Sequence, residues 1–518
     1  MKIDLCIRGP ALDEIEVEEH TRFEPGGFQV IEEYLYPEFD ASSRSGLVRE
    51  IRKMNSILER AKELWSTNQF RNDQVFDALR LQCFRMITLG ISGFDTPVSE
   101  MGISELPTTL QSIQDQLVFY HTDSSTLQHQ QLSRLLDGAK KFATLNADFD
   151  SFDRMQFITQ YINPFTTLLL ALQKQLRVPV LTNINALNGD IKTLFDENAF
   201  NINYFTPDAN SFVSESRISL GKRLFYDNIL SGNNLVSCAS CHKPEKAFTD
   251  GLTKSRALAS RGFLLRNTPT LINAGLQKAQ FYDMRASFLE DQVKNVVENK
   301  DEIHGSLKDA AILLTEDLHY KALFQKAYPG SSGVISERQI QVALAGYIRS
   351  LTSFNSRFDL FMRGDTGKMN KEERDGFNMF MGKAKCGICH FMPLFNGTVP
   401  PQFNTTESEV IGVAATADNK KIDSDKGRYS IYNIPNLERS FKTSTLRNID
   451  LTAPYMHNGA YKTLEDVVAF YEEGGGNGFG FNLEYQTLPE DKLELTDYEK
   501  RSLVSFMKTL TDTACVRK

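Results

Sequence analysis

Cys238-Ala239-Ser240-Cys241-His242 decides how this chain is read, and Cys386-Gly387-Ile388-Cys389-His390 repeats its pattern. Both fit the Cys-x-x-Cys-His spacing of c-type haem attachment. Two thiols three positions apart on one helical turn reach the two vinyl groups of a porphyrin, and the adjacent His presents a ring nitrogen to the iron. The spacing predicts two covalently bound haem c groups, on Cys238 and Cys241 and on Cys386 and Cys389, with His242 and His390 as axial iron ligands. The competing reading is one zinc site made from both Cys pairs. Such pairs usually stand roughly 15 to 20 residues apart and do not both carry a trailing His.

Working outward, 518 residues exceed what one core can organise, and a prior of roughly 150 residues per domain gives about three. A formal charge of -8 without a basic stripe excludes a nucleic-acid partner, because phosphate neutralisation needs clustered Lys and Arg. The most apolar run, FTTLLLALQKQL from Phe165, is broken by Gln and Lys, so no membrane span is expected. Cys6, Cys83 and Cys515 remain outside the two motifs and read as buried or idle thiols.

The first 205 residues read as amphipathic helices. Leu47, Ile51, Met54, Leu58, Ala61 and Trp65, spaced alternately four and three, form the clearest core-facing stripe, with Trp65 as a core ring. Further helices are expected over 73–88, 126–145 and 154–177, separated by polar or proline-bearing loops. Past residue 205 short helices broken by Gly, Pro and Asn surround the two Cys motifs, whose recurrence suggests a duplicated unit. The cuts fall at about 205 and 373, giving segments 1–205, 206–373 and 374–518.

From Ile218 to Leu510 the chain resembles the di-haem cytochrome c peroxidase and MauG superfamily. The resemblance rests on LGKRLFYDNILS from Leu220, AFTDG from Ala247, RNTPTLINA from Arg266, FYDMRASFLEDQ from Phe281 and STLRNIDLTAPYMHNGAYKTLEDVV from Ser444. It implies an all-α fold, an N-terminal helical bundle followed by two cytochrome c-like haem domains, that reduces hydrogen peroxide at the N-terminal haem. Glu302, ten residues after Gln292, falls at the family's catalytic Glu, and Gln292 at a distal-pocket Gln. Breaking the peroxide bond needs a group that takes a proton from one oxygen and returns it to the other. His304 is a competing distal group. Counting 19 residues from Thr452 reaches Tyr471, where MauG-like members have a Tyr ligand to the second iron and the peroxidase branch has Met. Met456 matches a packing position. Tyr282 replaces the Trp that relays charge between haems in this family. A calcium ion is implied on the Asn267 side chain and the Thr452 and Pro454 carbonyls, oxygen donors suited to a hard cation.

Near the start, PGGFQVIEEYLYPE from Pro25 resembles the imelysin family's Gly-x-His-x-x-Glu motif, with Gly27, Gln29 and Glu32 at its three positions. Gln29 cannot replace the imidazole as a metal ligand, so the region is read as a helical partner domain. Covalent haem attachment implies export to the periplasm, although the residues after Met1 show neither the apolar run nor the cleavage site of a signal peptide. The electron donor would be a small cytochrome or a protein substrate whose side chains are oxidised. Two rivals remain, a di-haem electron carrier without peroxidase activity and a haem or iron uptake protein.

Overall fold

The computed structural model describes residues 15–16, 21–22, 26–182, 185–258 and 262–513. Cys6 and Cys515 lie outside them. The chain is mainly helical. Its strands among the described residues are two short antiparallel pairs, Ile15–Glu16 with Thr21–Arg22 and Ser408–Val410 with Ser440–Lys442.

Helix Thr126–Leu145 occupies its expected span, while the other two expected helices each contain a π-helical turn, at Met86–Gly90 and Ile158–Ile162. Gly102–Leu117 is also helical, with Pro107 inside it, where the sequence reading left only loop between the helices expected over 73–88 and 126–145. Its buried Ile103, Leu106, Leu110, Ile113 and Leu117 form one face, and that burial outweighs the hydrogen bond lost at the proline. The stripe of Arg44–Thr67 needs a second correction. Leu47 and Met54 are buried, but Ile51 and Leu58 are each 40% exposed and Trp65 is 67% exposed, its ring beside that of Phe70. The short helix Phe28–Leu35 is its main neighbour and reaches only the first half, so the rest of the stripe meets solvent.

The apolar side chains gather into two large cores. One is continuous from Phe76, Leu110, Leu136 and Phe165 through Phe358, Phe377 and Phe506. The other holds Leu220, Phe225, Leu307, Phe324 and Leu344. Each contains the same helix crossing, Glu215–Tyr226 against Glu337–Ser350 and Lys371–Met381 against Asp497–Thr509. A glycine sits at each crossing point: a Cβ on Gly221 would overlap the Ala343 carbonyl, and one on Gly376 the Ser502 carbonyl. Beyond the crossings the correspondence continues bond by bond. Asn273 N–H donates to Leu351 O at 2.8 Å and Asn448 N–H to Leu510 O at 3.1 Å. The side-chain oxygens of the two asparagines accept from Ser353 N and Asp512 N at 2.9 and 2.8 Å. Both asparagines hold left-handed backbone, φ 60° and 61°, a region that residue type tolerates.

Candidate active site

Each Cys-x-x-Cys-His motif closes one tight turn. His242 N–H returns to Cys238 O at 2.9 Å and His390 N–H to Cys386 O at 3.0 Å. Each imidazole gives its Nδ1 proton to a carbonyl, His242 to Phe248 O at 2.9 Å and His390 to Phe395 O at 3.2 Å. A carbonyl only accepts, so Nδ1 carries the proton and Nε2 keeps its lone pair, the form that ligates iron. Burial holds both rings neutral, lowering the pKa of His242 and taking that of His390 to about 4. A threonine braces each supporting loop, Thr270 Oγ1 on Ala247 O at 2.6 Å and Thr445 Oγ1 on Leu394 O at 2.7 Å. The four motif thiols are free, and burial pushes Cys238 and Cys386 up to about 12. Cys83 is likewise a buried thiol raised to about 12, in keeping with an idle role.

All four motif cysteines and both histidines line one continuous cavity of about 1150 Å³. That exceeds the roughly 300 to 1,000 Å³ of a single small-molecule pocket. Space, thiols and neutral imidazoles together fit a pair of covalently held haems.

Glu302 and Gln292 line the same cavity. Glu302 stands in a turn whose backbone closes from Glu302 N to Asn299 O, and Asn299 Nδ2 donates to its Oε1 at 2.6 Å. Glycines let this turn lie flat on the preceding loop. A Cβ on Gly305 would overlap the Leu230 carbonyl, and one on Gly232 the His304 carbonyl. Burial raises the Glu302 pKa against the opposing pull of the Asn299 hydrogen bond and the Arg285 charge. Its charge in turn helps raise Cys238 and Cys241. His304 is exposed, holds a positive φ of 50°, and is not on the cavity wall.

Tyr471 reaches the cavity from helix Leu464–Glu472, capped by the reciprocal Thr463 and Asp466 bonds and ended at Gly474 with φ 81°. Leu464, Val467, Val468 and Tyr471 share that wall at helical spacing. Burial raises the phenol's pKa, helped by Cys386, Cys389 and Glu409. Met456 also lines the cavity.

Two groups on this wall carry no motif. Glu409, from the strand Ser408–Val410, hydrogen-bonds Cys389 and Thr487, and burial raises its pKa. Lys442, from the paired strand, donates to Ala279 O at 3.1 Å, and burial lowers its pKa to about 8. Neither was legible, because only strand pairing turns them inward. His457 could have been found, since it lies within the Ser444 motif. It is buried, stacks on Phe441 at 3.8 Å and lies on the cavity wall.

Between the two Cys motifs, the Tyr282 hydroxyl donates to Asn267 Oδ1 at 2.6 Å, and Asn267 Nδ2 donates to Pro454 O at 3.0 Å. The expected relay and two of the three expected calcium donors therefore form one chain of contacts. Thr452 lines the same cavity.

A family model described as di-haem cytochrome c peroxidase matches residues 215–367. Cytochrome-c peroxidase IdrP2 of Denitromonas iodatirespirans is 32% identical over 311 residues, 57% of this chain and 81% of that protein. The methylamine utilization protein MauG of Methylorubrum extorquens is 32% identical over 304 residues, 59% of this chain and 80% of that protein. A solved MauG-like protein associated with microbial copper homeostasis aligns with a TM-score of 0.53 at 30% identity, covering 60% of this chain and 93% of that one. With the twin Cys-x-x-Cys-His turns, their neutral imidazoles and the shared cavity, these likenesses agree that the chain belongs to the di-haem cytochrome c peroxidase and MauG family.

Proposed function

We propose that this member of the family reduces hydrogen peroxide to water in the MauG manner, drawing two electrons from a small cytochrome or from side chains of a partner protein. The observation that carries the reading is the single cavity whose wall holds both motifs, Glu302 and Tyr471. Haem c bound at each motif would supply one iron that reacts with peroxide, on His242, and a second that stores and relays electrons, on His390.

Glu302 then takes a proton from one peroxide oxygen and returns it to the leaving oxygen, with Gln292 as a neutral hydrogen-bonding neighbour. Its raised pKa suits it to both directions of transfer. Tyr471 would be the second ligand to a haem held on His390, and an anionic phenolate oxygen there would favour oxidised iron more than a thioether does. Tyr282 lines the same cavity and is the side chain that the family resemblance assigns to charge relay between the haems. Oxidising it requires that its proton move, and Asn267 Oδ1 is a weak acceptor for that proton. Asn267, Thr452 and Pro454 supply oxygens for a calcium ion there. In this reading residues 206–373 and 374–518 are the two haem domains, residues 1–205 a helical partner, and the periplasm the compartment.

The imelysin-like positions support a structural role over iron uptake. Gln29 donates to Phe94 O at 2.6 Å, and Glu32 accepts from Ser99 N at 2.8 Å. Denaturation followed by electron paramagnetic resonance tests the reading. Two haems should stay on the unfolded chain, because thioether bonds do not depend on the fold, and the half-reduced protein should show one high-spin iron. Two low-spin irons in every redox state would make it an electron carrier.

A further inference from the structure

The helices before residue 205 take no part in the chemistry above, yet they are built against the second Cys-x-x-Cys-His turn. The π-helical turn Met86–Gly90 touches Cys386–Ile388. Leu89 and Phe94 share a buried cluster with Phe391 and Val399, which Ile388 joins. Phe94 meets Phe391 edge-on at 5.2 Å, and Glu100 pairs with Lys385 at 3.0 Å.

This loop is held from three directions. The fully buried Arg154 guanidinium donates to Ile91 O at 2.8 Å, Gln29 holds Phe94 O, and Glu32 holds Ser99. None of these residues is on the cavity wall, so the loop lies on the outer side of the motif. Thioether bonds to Cys386 and Cys389 place one porphyrin edge at that motif. Without the loop, this edge would be the shortest route for an electron arriving from a docked protein.

We propose that residues 86–100 are a built-in cover over the thioether edge of the second haem, closing that face to a soluble protein donor. The donor then meets the outer surface of the N-terminal helices instead. The inference rests on the reading that Cys386 and Cys389 carry haem. The step it governs moves one electron, oxidising the donor's ferrous iron to ferric and reducing the second haem's ferric iron to ferrous, with no proton or ligand transferred.

The test uses the full-length holoprotein in stopped flow, mixed with reduced mitochondrial cytochrome c or with hexaammineruthenium(II), a reductant small enough to pass a cover. Phe94→Ala removes the aromatic contact. Lys385→Glu turns the partly exposed ion pair into a repulsion without touching the core. Either variant should accept electrons from cytochrome c about tenfold faster or more, within the range over which rates at one interface vary, while the ruthenium rate stays within about twofold. Equal cytochrome c rates in the parent and in Lys385→Glu overturn the cover. Extraction into acidified organic solvent separates that failure from a deeper one. Haem that leaves the second motif overturns the attachment reading, whereas unchanged rates with haem retained overturn only the cover.

Discussion

At the level of single residues, the proposed chemistry hangs on Glu302. Glu302→Gln keeps volume and hydrogen-bond reach but cannot titrate, so the peroxide reaction should slow by about 10² to 10⁴. His304→Ala should do far less, since that residue is exposed and does not line the cavity. Burial holds the Glu302 pKa above its ordinary 4.5. The base form is lost as pH falls through that raised value, so the parent's rate should decline on acidification and the Gln variant's profile should stay flat. A declining profile in Glu302→Gln assigns the titration elsewhere. Tyr471→Phe should change the spin state of the second haem and leave both haems attached; an unaltered spectrum moves the ligand to Met456 or beyond. The haem cysteines and histidines were legible because covalent chemistry fixes their spacing. Glu302 and Tyr471 were reached by counting from motifs. Glu409 and Lys442 were not, because an inward-facing carboxylate or amine looks in sequence like any surface charge. Trp65 was misread because a helical stripe shows which face is apolar, not whether anything covers it.

Among the elements, the duplicated crossing makes the sharpest prediction. Gly221→Ala and Gly376→Ala each force a methyl into a facing carbonyl and should cost about 1 to 3 kcal/mol by thermal denaturation. Gly346, in the same helix that Gly221 crosses, has only Arg217 Cβ near, at 3.9 Å. Gly346→Ala should therefore be neutral or add up to about 1 kcal/mol. Equal losses at all three sites would show that the crossings are not the cause. Buried ion pairs tie further elements together, Arg447 to the helical Asp359 at 2.6 Å and Arg349 of a crossing helix to Glu290 of the helix Leu289–Glu298 at 2.7 Å. Asp359→Asn leaves a guanidinium buried without its counter-charge and should cost about 3 to 5 kcal/mol. Periodicity and capping made helices such as Thr126–Leu145 and Leu464–Glu472 legible. Gly102–Leu117 was not read as a helix; the local penalty of Pro107 inside it is visible in sequence while the burial that offsets it is not.

Across the whole molecule, Asn267 and Pro454 join chain segments far apart in sequence, so a cation there would fasten the two regions together. Calcium at about a hundred times its dissociation constant would add about 2.7 kcal/mol, and removing it with EGTA should lower Tm. An unchanged Tm together with no bound calcium by elemental analysis would remove the site. The same cation would compete for the oxygen that receives the Tyr282 hydroxyl, so chelation should alter electron exchange between the haems, and Tyr282→Phe should abolish that sensitivity. What the sequence could not show at this scale is that the early helices share one apolar core with residues after 354. Separate amphipathic stripes do not announce their partners.

That shared core imposes an order on biogenesis. The chain emerges N-terminus first, and the faces of Phe76, Leu136 and Phe165 belong to a core that also needs Phe506, which is synthesised long after them. Leu89 and Phe94 likewise wait for Phe391 and Val399 before their own cluster can form. On the reading that Cys386 and Cys389 carry haem, attachment would precede the packing of the early helices against that motif.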